Sequence, residues 1–431
     1  MSDPRMDGRK ARVDHTTTPE DVDSYEHPKL RPIEAFPAVV SGQRVVCLRD
    51  PQRYSEEVVY MPMQAASILG LLDGQHSLLD IQEAFVRRFG SLLFREQLLA
   101  MIRSLDEHLL LDSPRFADHR AEIEEGFRRA TTRPASLVGK SYPADPTALS
   151  RQLDGYLSAP DGPGDTAPSP AASSLAGLVV PHIDFARGGP CYAWGYREME
   201  GAPPPDRFLI LGTVHAPITR AFCLTRKDFE TPLGLVETDQ EFMEHLLNAA
   251  GDGYLADEMA HRGEHSIEFQ TVFLRHRTTP SRSVRIVPIL CGSLHQCVED
   301  DRPPGKDEEV EEFIGALRQT MAALGGRTVV MASADLAHVG PQFGDPHQIT
   351  PGQLREVADA DRQMLGSVEA GNPEAFFHAV ARDGDRRRIC GLPPIYSLLR
   401  LLPGARGHVL RYSQWPDPQG AVTFAAVALY S

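Results

Sequence analysis

The stretch Leu178-Val179-Val180-Pro181-His182-Ile183-Asp184 opens as an apolar, strand-forming run and stops abruptly on ligand-type side chains. The same event recurs downstream. Phe208-Leu209-Ile210-Leu211 runs into Gly212-Thr213-Val214-His215, the run 284–290 ends on Cys291, and Val329-Val330-Met331 leads to Ser333-Ala334-Asp335-Leu336-Ala337-His338. Strand patterns near 176–180, 207–212, 284–290 and 327–332 alternate with helical patterns near 239–250, 265–277, 307–324 and 353–370. That alternation predicts an α/β fold, a mainly parallel sheet flanked by helices. In such a sheet, ligands collect at the carboxyl ends of the strands. Imidazole, thiolate and carboxylate gathered at one rim make a metal site. The tail differs: runs at 409–413 and 422–429 flank Pro416-Asp417-Pro418-Gln419-Gly420 and predict an antiparallel hairpin on the sheet edge.

The 431 residues, 42% of them hydrophobic, supply one large or two moderate domains with ample core. No apolar run approaches the roughly 20 residues of a spanning helix, and the polar start lacks the apolar stretch of a signal peptide. The expected location is cytoplasmic. Six cysteines, at 47, 191, 223, 291, 297 and 390, are too sparse and irregular for a disulfide framework, and none forms a CxxC pair. A formal net charge of -15 argues against nucleic-acid or anionic-membrane partners.

Residues 1–30 are polar and aperiodic and read as a disordered leader. A small winged-helix-like α+β domain is expected over 31–114. It has β-rich segments at 44–49 and 57–61, a helical run at 64–72, a helix at 78–89 and another at 94–108. Ser77 reads as an N-cap with Asp80 closing a capping box, and Gly90 ends that helix. A connecting helix is expected over 115–130, then a second domain over 131–431, interrupted by a flexible Pro- and Gly-containing loop at 158–174.

His182 and His215 follow strands that are consecutive in sequence, so they can sit side by side; two imidazoles suit iron, copper or zinc. Asp335 and His338 sit three apart and share a face if Ser333 opens a helical turn. Asp335 could then ligate a metal or fix the tautomer of a ligand histidine, and His338 could be a ligand or a proton donor. Glu264-His265-Ser266-Ile267-Glu268 begins an amphipathic helix. Its two glutamates read either as a solvated acidic first turn or, with His265 and Glu268 on one face, as a base and its orienting carboxylate. Cys390 lies beside Arg386-Arg387-Arg388 and ahead of a helix, an environment that should depress its pKa and favour the thiolate. Cys291, at a strand end, serves equally well as a packing residue. Arg187-Gly188-Gly189 offers backbone N–H groups near the site or is a bare turn.

Several classes are unsupported. Gly139-Lys140-Ser141 looks like the end of a phosphate loop, but Pro134 stands where the leading glycine is required. No GxGxxG follows a strand, no GxSxG elbow occurs, and the Glu264 motif is not His-Glu-x-x-His.

Taken in order, Val180-Pro181-His182-Ile183-Asp184-Phe185, Leu211-Gly212-Thr213-Val214-His215, Glu264-His265-Ser266-Ile267-Glu268, Val287-Pro288-Ile289-Leu290, Ser333-Ala334-Asp335-Leu336-Ala337-His338 and Ile389-Cys390-Gly391 resemble the Memo family from Arg133 to Ser431. The resemblance implies a fold akin to class III, extradiol-type nonheme dioxygenases. It implies His182, His215 and Cys390 as metal ligands, with Asp335 and His338 lining the site and Glu264 and His265 close to it. It further implies iron (Fe2+), with copper the other metal, and a redox protein acting on a small-molecule or peptide substrate. Ring cleavage does not carry over, because a thiolate replaces the carboxylate of the dioxygenase triad. The leading segment, through Leu71-Leu72-Asp73-Gly74, Ser77 and the Asp80-Ile81 helix, resembles PqqD-like peptide chaperones, implying a peptide or partner protein bound along a strand edge. A DNA-reading winged helix is disfavoured, since acidic residues outnumber basic ones there. Fused to such a domain, the chain looks like protein B of the AmmeMemoRadiSam system, whose partners would be an AMMECR1-like protein and a radical-SAM enzyme. Two other functions stay open: a peptide-binding module with a non-catalytic pocket, and a metal-dependent hydrolase.

Overall fold

The computed structural model describes residues 25–55, 57–278 and 283–431. They form two compact units that divide between Gly126 and Phe127, inside α3 (Pro114–Arg129), the helix expected over 115–130. The first unit is a three-stranded antiparallel sheet, β1 (Glu34–Val40), β2 (Gln43–Arg49) and β3 (Val59–Pro62), with α1 (Leu78–Phe89) and α2 (Arg95–Glu107). Leu48, Ile68, Leu78, Ile81, Leu98, Ile102 and Leu105 fill its core. The capping box is present: Asp80 N donates to Ser77 Oγ, and Ser77 N donates back to Asp80 Oδ2 at 2.8 Å.

Three details of this unit differ from expectation. β1 is an additional strand, almost wholly exposed and carrying Pro37, so neither alternation nor burial marks it in the sequence. The helical run at 64–72 breaks into Met63–Ala66 and a 3-10 turn, Leu69–Leu71. Of the leader at 1–30, residues 1–24 lie outside the described residues, while 25–30 are packed: Leu30 N donates to Leu72 O, and the Tyr25 hydroxyl to Asp106.

The second unit is built on one large mixed sheet. Its strands are β4 (Leu175–Val180), β5 (Arg207–Thr213), β6 (Phe222–Leu224), β7 (Arg285–Cys291), β8 (Thr328–Ser333), β9 (Asp335–Val339), β10 (Arg406–Asp417) and β11 (Gly420–Tyr430). The order is β9-β11-β4-β8-β5-β7-β6, with β10 pairing β11 as the outer arm of the expected hairpin. β4, β8, β5 and β7 are mutually parallel, with the short strand Glu237–Thr238 added in parallel to β7; β6 and β11 run against them, and β9 and β10 each pair antiparallel with β11. Alternate side chains of the parallel strands enter opposite cores. Leu209, Leu211, Val287, Ile289, Val330 and Ala332 pack with the helices Gln240–Ala250 and Glu308–Leu324. Phe208, Ile210, Ile286, Leu290, Val329 and Met331 pack with α4 (Phe185–Met199) and α5 (His265–Arg277). A parallel sheet covered on both faces is the arrangement that near-continuous apolar strands require.

The strand order corrects one expectation. β4 and β5 are not neighbours, because β8 lies between them, with Ser333 in register with both Val180 and Gly212. Sequential strands neighbour each other only about two-thirds of the time, and here a strand from later in the chain is inserted between them. The loop at 158–174 is also tethered: Trp194 donates to Asp161 O, and Glu198 accepts from Ser169 N. Among the described residues no helix is long and apolar enough to cross a membrane.

Candidate metal centre

His182 follows β4 through Pro181, at the carboxyl rim, and is buried. Its backbone N donates to Asp335 Oδ1 at 2.9 Å, and its ring Nδ1 lies 3.0 Å from Ser333 O. A carbonyl only accepts, so Nδ1 carries the proton and Nε2 keeps its lone pair. Burial, then the neighbouring His215 and His265, hold its pKa well below the ordinary histidine value. The ring is therefore neutral at pH 7, as ligation requires.

His215 and His265 are oriented by one carboxylate. Glu264 caps α5, accepting from His265 N at 2.7 Å and Ser266 N at 3.0 Å, and takes His215 N at 2.9 Å. Its oxygens also stand 3.0 Å from Nδ1 of His215 and 3.0 Å from Nδ1 of His265. Burial alone would raise the Glu264 pKa, but the two histidines and the bonds from them outweigh it and hold the carboxyl well below its usual range. Carboxylate-bound Nδ1 leaves each Nε2 facing outward, the pattern of metal-ligating histidines. Gly212 permits this closeness, since a Cβ there would lie 2.6 Å from Ser266 Oγ and 2.7 Å from Ile267 Cγ1.

The three rings converge. Ring centroids are 5.3 Å apart for His182 and His215, 5.3 Å for His182 and His265, and 4.7 Å for His215 and His265. One donor nitrogen from each lies within 4.8 Å of the others. Two nitrogens bound to one ion at about 2.1 Å stand at most about 4.2 Å apart, so a small inward closure lets this cluster hold a metal ion. His182 is buried while His215 is 44% exposed, so the cluster opens to solvent on the His215 side.

Cys390 adds a sulfur to the buried flank, with Sγ 3.3 Å from His182 Nε2 and 3.6 Å from Asp335 O. Asp335 and His338 lie on β9, not on a helical turn. Between them the register with β11 slips, three steps on β9 facing two on β11, from Phe424 to Val422. That β-bulge restores a common face to residues that a regular strand would point oppositely. Asp335 Oδ1 accepts from His182 N and Ile183 N, and Oδ2 lies 3.7 Å from His182 Nε2. Burial raises its pKa. His338 Nδ1 meets the carbonyls of Leu336 and Arg388, so its Nε2 is the proton-accepting atom, and burial lowers its pKa.

Other expectations are overturned. The arginines do not activate Cys390: Arg387 is turned to Asp361 and Arg388 to Asp345, so both cations are neutralised by carboxylates. Burial, then Asp335, instead push the thiol pKa well above its ordinary value. Glu268 is neither solvated nor paired with His265. It is fully buried, bound to Arg133, Ser136, Leu137 N and Tyr142, and ties 133–142 to α5. Arg187-Gly188-Gly189 is no turn but the first part of α4, capped by Asp184. Cys291 is buried in the apolar core, as its packing reading expects.

The sequence reading missed the residues behind the site. Arg133 donates to Glu264 O at 2.7 Å. Gln270 donates to Pro181 O and Ser333 Oγ, and Ser333 Oγ donates to Ser266 O, joining the ends of β4 and β8 to α5. Only the hydrophilic positions within a buried helix, Ser266 and Gln270, could have signalled this. The family described as Memo-like protein matches residues 133–428. A MEMO1 family protein of Aquifex aeolicus is 25% identical over 94% of this chain and 100% of its own length. An alignment that wide takes in most of the small unit as well. MEMO1 family proteins of Thermus thermophilus and Methanopyrus kandleri are 29% and 28% identical, covering 77% and 68% of this chain and 92% and 98% of their own. Rim histidines, capping glutamate and family match all fall within one stretch of sequence: the chain belongs to the Memo-like protein family.

Proposed function

We propose that the second unit is a mononuclear redox centre in which His182, His215 and Cys390 hold an iron ion, copper being the alternative metal, with His265 as a further donor. The observation that carries this reading is the convergence of three imidazoles whose Nδ1 atoms are all engaged, beside a thiol. Nitrogen and sulfur donors together favour iron or copper over the hard cations that oxygen cages select. When bound, such an ion supplies one-electron or O₂ chemistry to a small-molecule or peptide substrate.

The chain's own residues have separable tasks. Asp335 fixes the backbone of His182 and Ile183, and Glu264 fixes the rings of His215 and His265. His338, with Nδ1 tied to carbonyls, accepts or returns a proton at Nε2. The exposed side of His215 is the substrate entrance. The test is metal analysis of anaerobically purified protein beside Cys390→Ser, His215→Ala and His265→Ala. Near-stoichiometric iron or copper retained in both Cys390→Ser and His215→Ala would overturn the ligand set.

A second activity resides in the small unit. Leu79, Val86, Leu92 and Leu93 line one open groove there, with Leu79 and Leu92 exposed, an apolar surface that fits a bound peptide or partner protein better than a free solvent face. We assign to it the peptide or protein partner of a radical-SAM-associated system, an AMMECR1-like protein included. Capture that survives chelation of the metal but fails in Leu79→Lys/Leu92→Lys supports this, and capture unaffected by both substitutions overturns it.

A further inference from the structure

Cys390 is carried by a loop held in an expensive conformation. Asp385 and Arg388 both have left-handed backbone, at φ 50° and 51°, without being glycine. Each is sterically unfavourable for an L-residue, and such residues persist only where their surroundings over-determine them. Here they do. Arg388 N donates to Asp385 O and Ile389 N to Asp385 Oδ1, while Gly391 N donates to Asp335 O, where a Cβ on Gly391 would come within 2.5 Å.

Two ion pairs then fasten the loop from outside. Arg387 is bonded to Asp361, a buried carboxylate on α6 (Pro351–Glu369) that also accepts from Tyr412 at 3.0 Å and Thr423 at 2.6 Å. Arg388 donates to Asp345 Oδ1 at 2.7 Å, and the other oxygen of Asp345 accepts Gly340 N at 2.6 Å. The same loop holds His338: Arg387 O accepts His338 N at 2.6 Å, and Arg388 O faces its Nδ1 at 3.2 Å.

We propose that Asp345 and Asp361 are positioning residues that act through Arg388 and Arg387, clamping the strained loop 385–391 so that the Cys390 sulfur and the His338 ring face the histidine cluster. The inference rests on the reading of Cys390 as a site residue, and deepens it. Removing either carboxylate releases one end of a backbone that is unfavourable by itself.

The experiment uses the full chain, metal-free and native, with a chromogenic disulfide as thiol probe. The other five cysteines are buried, so the fast phase reports Cys390, and its absence in Cys390→Ser verifies the assignment. Asp345→Asn and Arg388→Gly, which keeps the left-handed backbone but loses the guanidinium, should each raise the labelling rate about five- to tenfold, the ratio for a lost charge-assisted bond discounted for partial exposure, and Asp361→Asn, whose pair is buried, about tenfold or more. The swap Asp345→Arg/Arg388→Asp should reverse part of the increase, since it restores the ion pair but leaves Gly340 N without its acceptor. Co²⁺ titration supplies the second readout. The clamp variants should weaken the sulfur-to-cobalt charge-transfer band and lower affinity about 10–100-fold. Unchanged labelling in both Asp345→Asn and Arg388→Gly, or a lower thermal midpoint with labelling and band unchanged, overturns the clamp. A wild-type titration with no sulfur band, and unaltered affinity in Cys390→Ser, overturns the ligand reading instead while the labelling rates still judge the clamp.

Discussion

Glu264→Gln removes one oxygen and one charge from the group on which two of the three histidines depend. In the wild type, Oε1 accepts from His265 N and Ser266 N and Oε2 from His215 N, with the two Nδ1 atoms at 3.0 Å. An amide has a single oxygen, so in either orientation its NH₂ confronts at least one backbone N–H. The side chain is 5% exposed, and water cannot repair the mismatch on the inner side. Losing one charge-assisted bond costs about 1.5–3 kcal/mol, and an unpaired buried donor about 1–3 kcal/mol. With His215 partly solvated, the net loss should be about 2–4 kcal/mol of folding stability. Both rings also lose a fixed tautomer, so Co²⁺ affinity should fall toward the 100-fold end of the range for such supporting residues. Trp194 and Trp415, the chain's only tryptophans, both lie in the second unit, so urea unfolding followed by their emission reads that unit alone. The sign with pH is fixed: Glu264 is depressed on folding, so its stabilisation is present above the ordinary carboxylate pKa and is lost as pH falls below it. The gap between wild type and Glu264→Gln should therefore narrow below about pH 4. Unchanged Co²⁺ affinity with less than about 0.5 kcal/mol lost would refute the orienting role.

Other changes separate the scaffold from the site. Glu268→Ala strands the fully buried Arg133 and should cost about 3–5 kcal/mol by urea unfolding. Glu268 too is held below its ordinary pKa, so Glu268→Gln should flatten the acid limb of a stability-versus-pH curve below about pH 4. Gly391→Ala drives a methyl onto Asp335 O and Ala334 Cβ. It should cost about 1–3 kcal/mol and speed Cys390 labelling; an unchanged rate would mean that the loop accommodates the methyl without moving the thiol. Ser77→Ala should remove about 1 kcal/mol from the small unit, read as faster amide exchange along α1 with tryptophan-detected unfolding unaltered.

What the sequence discloses and what it hides divide by the range of the interactions involved. The parallel strands are legible because both faces are covered and their apolar runs are nearly unbroken. Helix starts such as Ser77 with Asp80 are legible because a cap is a contact over three residues. β9 is not legible, since Asp335-Leu336-Ala337-His338 owes its strand form and its bulge to pairing with β11, some 86 residues away at Ala337 and Thr423. The same limit explains the errors about charge. Arg387 and Arg388 are adjacent to Cys390 in sequence, but their partners, Asp361 and Asp345, are 26 and 43 residues distant. Adjacency therefore predicts a thiolate where burial yields a thiol.

The division of labour among the histidines follows from how each is held. His182 is buried and fixed by backbone, through Ser333 O and through a main-chain bond to Asp335, so its position depends on the register of β4 against β8. His215 and His265 are more exposed and share one side-chain anchor, so they move together if Glu264 moves. A rigid inner histidine beside a coupled, more exposed pair is asymmetric, and the asymmetry gives direction to the cluster, which is open on the side of the pair. The thiol and His338 lie on elements tied to β9 and the 385–391 loop. Changes at Glu264 should therefore alter metal hold from the open side, whereas changes at Asp345 or Asp361 act through the sulfur. Combining Glu264→Gln with Asp345→Asn tests this. The two anchors share no bonded partner, so their effects on Co²⁺ affinity should add to within about 0.5 kcal/mol if they hold separate halves of the site. A coupling well beyond that value would mean that the site moves as a single body.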